Sequence, residues 1–339
     1  MLEYSVKKIS EISENDLYNF YKTAFKDRYK ILIKNYKWWY RLDDNKCPPI
    51  FITLRSKIIG HLATVPIKIK LQETVFSGSF FVDYIVLPEF QGKGVGSILV
   101  QEGTKHTEIQ IAFCNEAALK IYKKFGWKIT CNTKRMIRPI NPIKWIPIIK
   151  NLKTKLFKNL YNNSLKKKLQ TKSNIKPLNL DENFKELSDN FLKSKIKNSN
   201  ILELYRDPAW FEWRFYDFPF KRNLKFFEYK GNYVIVHEIN LKNVKRLHVI
   251  FYFYLDFYLE EEMYCIIAKW AIENDYDLIW SCSANQKLIN NLVSVMPNQF
   301  LKKITIASYS SNQKIFKNLD KSFENIQASD SDLDILYLK

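Results

Sequence analysis

The segment that most restricts the fold is Phe81-Val82-Asp83-Tyr84-Ile85-Val86-Leu87-Pro88-Glu89-Phe90-Gln91-Gly92-Lys93-Gly94-Val95-Gly96-Ser97. A β-rich run ends at Pro88, and a glycine-dense turn opens directly into the apolar-periodic stretch Val95–Thr107, which reads as a helix. A strand feeding a helix through residues that tolerate unusual backbone angles gathers successive N–H groups around one point. With the helix dipole they form a cradle for an anion, and glycine lets a phosphate approach without a side chain in the way. Gly92-Lys93-Gly94-Val95-Gly96 has neither the GxGxxG spacing of dinucleotide sites nor the Gly-Lys-Ser/Thr of a P-loop. Taken alone, the segment also fits a merely structural tight turn.

The next segment weighs against that bland reading. A strand expected at Ile109–Phe113 leads into Asn115-Glu116-Ala117-Ala118-Leu119-Lys120-Ile121-Tyr122-Lys123-Lys124-Phe125-Gly126-Trp127. This helix starts at an Asn cap, ends at a Gly C-cap, and puts Asn115, Ala118 and Tyr122 in one stripe. With both segments in order, the chain resembles the GNAT acetyltransferase superfamily. Gln91-x-x-Gly94-x-Gly96 is similar to that family's pyrophosphate loop, and Asn115…Ala118…Tyr122…Gly126-Trp127 to its second cofactor motif.

The resemblance implies acetyl-CoA as cosubstrate and no metal. The N–H groups of Gln91, Gly92, Lys93, Gly94, Val95, Gly96 and Ser97 would hold the pyrophosphate. The strand edge at Ile85, Val86 and Leu87 would bond the pantetheine arm and polarise the thioester. Asn115 would contact the arm, and Tyr122 would protonate the departing thiolate. Acyl transfer to an amine needs aligned reactants, a donor for the developing oxyanion and removal of the ammonium proton, so this division of labour is chemically coherent. Asp83 faces the same side as Ile85 and Leu87 by period-two alternation, which makes it the candidate base; a structural strand acid is the alternative. His61 and His106 are further candidates, neither with a metal-ligand partner at sensible spacing, and Glu89 flanks the turn.

Around these motifs, strands are expected at Glu3–Ile9, Ile50–Leu54, Ile58–Pro66, Phe80–Leu87 and Trp127–Asn132, with a helix at Asn15–Phe25 followed by two aromatic-rich turns. The second half repeats the order. Trp38-Trp39-Tyr40-Arg41 and Phe211-Glu212-Trp213-Arg214 each precede a proline (Pro48, Pro219), a strand and a hairpin glycine (Gly60, Gly231). Arg41 to Gly60 is 19 positions and Arg214 to Gly231 is 17. A strand at Val249–Leu255, a helix at Glu260–Asn274, a strand at Asp277–Ser283 and a helix from Asn285 complete the parallel, which points to an internal duplication. Gly96 to Asn115 is only 19 residues, a shorter helix than the commoner arrangement. That and the repeated Trp-Arg pattern resemble tandem GNAT-like proteins among bacterial surface-polysaccharide enzymes.

The second half lacks the cofactor apparatus. Phe257-Tyr258-Leu259-Glu260-Glu261-Glu262 stands where the glycine loop should be, and three carboxylates at a helix start would repel a pyrophosphate. Asn285 echoes Asn115, but Leu292 falls at the place of Tyr122. This half is expected to bind no CoA and to complete the acceptor pocket with Trp210, Trp213, Arg214 and Tyr216, or else to use those aromatics as core.

Charge adds little once it is located. The chain carries 54 Lys+Arg against 35 Asp+Glu, a net +19 that first suggests nucleic acid or an anionic membrane. Eleven of those cations lie between Arg138 and Lys176 with no Asp or Glu, and only nine of all 54 are Arg, the better reader of phosphates and bases. No specific DNA binding is expected. The stretch reads as a basic linker, partly helical over Ile148–Leu169: a solvated connector, or an element resting on anionic lipid or a lipid-linked substrate. Five scattered cysteines without a CxxC pair, no leader-like N-terminus and no run of about 18 apolar residues point to the cytoplasm.

The expectation is an α/β (α+β) mixed-sheet fold with two tandem GNAT-like domains: an acetyl-CoA domain at 1–137, a basic linker at 138–176 and a degenerate domain at 177–339. The expected activity is N-acyl transfer from acetyl-CoA to a primary amine of a small acceptor, an amino sugar of a polysaccharide precursor being the leading class. The alternatives are peptidyl transfer from aminoacyl-tRNA and an idle CoA-binding sensor or scaffold.

Overall fold

The computed structural model describes residues 3–43, 47–141, 176–178, 185, 187, 189, 200–241, 243–253, 259–285, 289–290, 300–320, 322–323 and 325–330. The strands are β1 (Ser5–Lys8), β2 (Ile50–Leu54), β3 (Lys57–Leu71), β4 (Thr74–Val86), β5 (Ile109–Cys114), β6 (Lys128–Pro139), β7 (Glu203–Tyr205), β8 (Leu224–Tyr229), β9 (Asn232–Leu241), β10 (Val244–Phe253), β11 (Leu278–Ser283) and β12 (Phe300–Tyr309). The helices are α1 (Glu14–Phe25), α2 (Tyr29–Trp39), α3 (Val95–Gly103), α4 (Glu116–Lys124), α5 (Pro208–Phe211, continued by a π-helical turn at Glu212–Tyr216), α6 (Glu260–Glu273) and α7 (Gln313–Lys317). The architecture is the mixed α/β sheet expected.

All the strands join one sheet in the order β1-β2-β3-β4-β5-β12-β6-β11-β10-β9-β8, with β7 added to the far end of β3. That order is close to a palindrome. From one side it runs through the hairpin β2–β3 to β4, which lies parallel to β5; from the other, through β8–β9 to β10, which lies parallel to β11. At the centre the halves exchange strands. β12 of the second half pairs antiparallel with β5, and β6 of the first half pairs antiparallel with β11. β6 and β12 also pair with each other.

The same approximate two-fold relation appears in the helical layer. Trp38 donates its indole N–H to the Trp213 carbonyl at 2.9 Å, and Trp213 donates to the Trp38 carbonyl at 2.8 Å. Their rings stack at 5.6 Å. Trp38 and Trp213 are 175 positions apart, as are the hairpin residues Arg55 and Lys230, both at positive φ. The repeat therefore has a register of 175, which corrects the Arg41/Arg214 alignment. The hairpin before β3 turns at Arg55-Ser56 (φ 48° and 66°), and Gly60 lies inside the strand. Gly60 is there for space: a Cβ would stand 2.9 Å from Val95 Cγ1 on α3.

Two further elements differ from expectation. The aromatic-rich stretch after α1 is helix α2, not a pair of turns. It contains no Gly or Pro, and it buries Leu32 and Trp39, seven positions apart on one face. Helix α3 stops at Gly103, four residues before Thr107. Strand β6 continues to Pro139 with Arg138 buried, so the start of the basic stretch belongs to the sheet. The helix expected at 148–169 lies outside the described residues.

The sheet is covered on both faces. On one face α3 and α4 bury Val95, Leu99, Val100 and Tyr122 against β2–β5, and α6 buries Met263, Tyr264, Ile267 and Ala271 against β9–β11. The other face carries a single core shared by both halves, in which Leu17, Phe20 and Trp39 join Trp210, Phe215 and Phe251. Burying one such side chain is worth about 1.5–3 kcal/mol, so separating the halves would expose costly surface. No described helix is long and apolar enough to cross a membrane.

Candidate functional site

Strand β4 carries a bulge at its centre. Its register against β3 shifts between Ala63↔Val82 and His61↔Ile85, and Asp83 takes a positive φ of 49°. Before the bulge β4 pairs with β5, from Gly78↔Ile109 to Phe81↔Ala112; past it that ladder is not continued. The stretch Val82–Val86 keeps its partner β3 on one side, and its other edge has no ladder with β5. A bulge of this kind bends a strand and ends its pairing locally. The main chain of Val86 faces that edge, and that of Ile85, paired with His61, faces β3. Leu87 follows, buried, with its N–H bonded to the Ile59 carbonyl at 2.9 Å.

The glycine loop follows that open edge directly. After a short 3₁₀ turn at Pro88–Phe90, Gln91 donates its side-chain amide to the Val86 carbonyl at 3.0 Å, tying the loop to β4. Gly92 and Gly94 have φ of 75° and 84°, and a Cβ at either would meet nothing within 4 Å. These two glycines are needed for conformation, not space. The first helical bond of α3 runs from Ile98 N–H to the Gly94 carbonyl, leaving the N–H groups of Val95, Gly96 and Ser97 upstream of it, with no side-chain cap on the helix. Lys57 and Lys93 both lie over the Phe90 ring, at 5.7 and 5.4 Å. Lys57 is paired with Glu89 at 3.2 Å, so the uncapped donors, the helix dipole and the Lys93 ammonium form the setting that fits a diphosphate.

Helix α4 forms as its caps predict. Asn115 Oδ1 accepts from Ala118 N–H at 2.8 Å. Tyr122 is buried and stacks on Trp127 at 4.5 Å, and burial holds its phenol well above the usual value. Facing it is Tyr84, the residue after the bulge, with ring centroids 5.8 Å apart. The Tyr84 hydroxyl is buried without a hydrogen-bond partner among the described residues, and burial raises its phenol to about 12. Sequence reasoning did not single out Tyr84, because only the bulge brings it to this face.

Gly96 is held by contact: a Cβ there would clash with the Tyr84 hydroxyl. Gly96→Ala is expected to destabilise by about 1–3 kcal/mol through overpacking. Tyr84→Phe in the same chain should recover part of that loss, since the next neighbour, Ile121 Cδ1, is 3.3 Å away. A double-mutant cycle from denaturant unfolding measures the coupling; strict additivity would refute the contact.

Asp83 lies on the opposite, α1/α2 face, the same side as Ile85 and Leu87, as alternation suggested. Its side chain is only 1% exposed, and both oxygens are engaged: Oδ1 by Arg28 at 3.0 Å, and Oδ2 by the Tyr40 hydroxyl at 2.9 Å. Its carbonyl faces His61 Nδ1 at 3.0 Å. His106 stands beyond the C-terminal end of α3, at the far end of that helix from the glycine loop. Next to Arg28, a small pocket is lined by Ile31, Asn35 and Trp38 of α2 and by Phe220 of the second half.

The second half has a matching bulge at Ile250, where β10–β9 pairing skips from Val249↔Val236 to Phe251↔Ile235. The β10–β11 ladder stops at Val249↔Ser281. Here the opening is filled by the chain itself. The Gln327 carboxamide accepts from Tyr252 N–H at 2.6 Å and donates to the Tyr252 carbonyl at 2.9 Å, while Ala284 N–H bonds the Ile326 carbonyl on the β11 side. Trp210, Trp213 and Arg214 are buried in the shared core, Arg214 donating to the Ser329 carbonyl at 2.7 Å. Only Tyr216 of that group is exposed, which corrects the pocket role expected for the other three. Leu292 lies outside the described residues.

Residues 14–127 match the family model described as the acetyltransferase (GNAT) family. Among solved structures, the chain is similar to a GCN5-related N-acetyltransferase from Anabaena variabilis, at 15% identity and TM-score 0.59 over 91% of this chain and 73% of that one. A GCN5-related N-acetyltransferase from Kribbella flavida is similar at 9% identity and TM-score 0.59, over 91% and 71%. At these identities the likeness is one of fold. No curated protein matches the chain by sequence.

Proposed function

We infer from the membership of residues 14–127 in the acetyltransferase (GNAT) family that the chain is an N-acyltransferase, and we propose acetyl-CoA as its donor and a primary amine of a small acceptor as its target. The observation that carries this reading is the open edge of β4 beside an uncapped, glycine-rich helix start. When bound, acetyl-CoA supplies an activated acyl group as a thioester. The N–H groups from Gln91 to Ser97 bind its diphosphate, and Val86 offers its main chain to the amide-bearing arm. Asn115 holds the start of α4 in place. Tyr122 keeps its proton at working pH and donates it towards the leaving sulfur.

On the acceptor side, Asp83 takes the amine proton, directly or through water. Of its two side-chain partners Tyr40 is fully buried and Arg28 is 21% exposed, so access to the carboxylate opens by movement of Arg28. The adjoining pocket with Trp38 and Phe220 suits the apolar face of a sugar ring, which supports an amino sugar of a polysaccharide precursor as the acceptor class.

The test is CoA release from acetyl-CoA across a panel of amino sugars, amino acids and polyamines. Binding without release for the whole panel would leave the sensor reading in its place. Gly94→Glu is expected to weaken acetyl-CoA binding at least roughly tenfold, because it sets a carboxylate against the diphosphate. Gly94→Ala is the control, adding the strain of the left-handed backbone without the charge. Equal loss in both variants would discard the anion cradle.

A further inference from the structure

We propose that His61 is a positioning residue for acyl transfer, holding the bulge of β4 in place through the Asp83 carbonyl. The inference rests on the acyltransferase reading for its catalytic consequence but not for its structural part. Asp83 has a φ of 49°, a conformation that costs a non-glycine residue on the order of 1 kcal/mol and persists only where its surroundings over-determine it. Three groups do so here: Arg28 on Oδ1, Tyr40 on Oδ2, and His61 on the main-chain oxygen.

His61 is an odd occupant for its position. It is fully buried on β3 among aromatic rings, with Phe51 at 4.7 Å, Tyr21 at 5.5 Å, and Phe20, Tyr40 and Phe25 at about 6 Å. Packing alone would be served by leucine or phenylalanine, and an imidazole brought into such a cage loses its hydration. What it gains is polar contact at both nitrogens. A carbonyl can only accept, so Nδ1 carries the hydrogen and donates it to Asp83. Nε2 is then the acceptor and faces, at 3.5 Å, the Tyr21 hydroxyl, whose one hydrogen it shares with the Tyr40 hydroxyl at the same distance. One hydrogen on the ring agrees with burial, which holds the imidazole neutral by lowering its pKa to about 4.

The bulge is where β4 leaves β5, so the residues whose main chain must meet the thioester, Tyr84 to Val86, are aimed by the anchored Asp83 peptide. His61 touches no reacting atom; it acts through that peptide. Losing it should leave the diphosphate loop intact and blur the alignment of the acyl group.

Three measurements test this. Side-chain ¹⁵N NMR of the wild-type protein at neutral pH should show His61 as the neutral Nδ1–H tautomer, and the Nε2–H tautomer would overturn the proposal with no variant needed. Without ligand, His61→Leu should speed amide exchange at Ile85 and Leu87, whose N–H groups turn to β3, at least roughly tenfold, whereas His61→Asn, whose amide N–H can stand where Nδ1 stood, should restore protection to within about threefold. Unchanged exchange in His61→Leu, or no recovery in a folded His61→Asn, would overturn it. If His61→Leu does not fold, His61→Phe, which keeps a ring in the aromatic cage but has no donor, must show the same direction of change at Ile85 and Leu87 for the proposal to stand. With [1-¹³C]acetyl-CoA bound, the thioester carbonyl stretch should lie below its value in water for wild type and His61→Asn and return towards that value in His61→Leu, at a dissociation constant within about threefold. A wild-type protein with the Nδ1–H tautomer and His61-dependent protection but no acetyl-CoA binding would instead refute the acyltransferase reading and leave the anchor standing.

Discussion

Replacing Tyr122 with phenylalanine is expected to lower the maximal rate of CoA release by roughly a hundredfold or more while leaving acetyl-CoA affinity within about threefold. The phenylalanine keeps the ring stacked on Trp127 and the contact with Tyr84, so the hydroxyl is the only group removed. Burial is the largest cause of the raised phenol pKa, with Cys114 and Tyr84 adding to it. The sign follows: a group whose pKa is raised stays protonated at neutral and mildly alkaline pH, where an amine acceptor gains reactivity by losing its proton. An alkaline fall in rate below about pH 10 therefore belongs to another group, and should persist in the variant. Steady-state rates with separate calorimetric binding check this. A loss of affinity as large as the loss of rate would remove Tyr122 from the role of acid.

The second large effect concerns the whole first half. A chain ending at Asn141 is expected to show no cooperative unfolding transition and no acetyl-CoA binding, although it contains the entire family match at 14–127. β6 would lose both of its neighbours, β12 and β11, and β5 would lose β12. The remnant cannot simply close on itself. β5 and β6 are each antiparallel to β12, hence parallel to one another and one strand's width too far apart, roughly 10 Å. The truncation also exposes Trp38 and Trp39, which pack against Trp213. Circular dichroism through a thermal ramp measures the outcome. A cooperative transition with intact acetyl-CoA binding would show that the exchanged strands are dispensable.

What the sequence disclosed follows from how local each feature is. The glycine loop, the Asn115 cap, the Gly126 stop and the strands around them are set by backbone preference within a few residues, and each stands where it was expected. Helix α2 was hidden because its aromatic density resembles a run of turns, and its reason for being helical is the remote Trp213. The Asp83 bulge left no mark, since aspartate tolerates a left-handed backbone less openly than glycine does and its three anchors come from α1–α2 and β3. Strand exchange is likewise silent: β12 alternates in the same way whichever half it joins. For Gln327 a single polar residue in an irregular stretch gives no local sign that it spans a gap between strands.

The exchange at the centre of the sheet bears on how such a chain can change over generations. In a pair of domains joined only by a tether, a copy that no longer binds cofactor is free to erode or be deleted. Here the second half supplies β12, the strand beside β5, and takes β6 in return. Removing either half therefore strips neighbours from strands of the other, β5 and β6 on one side and β11 and β12 on the other. The second half acts as a splint for the first, and the two stand or fall together.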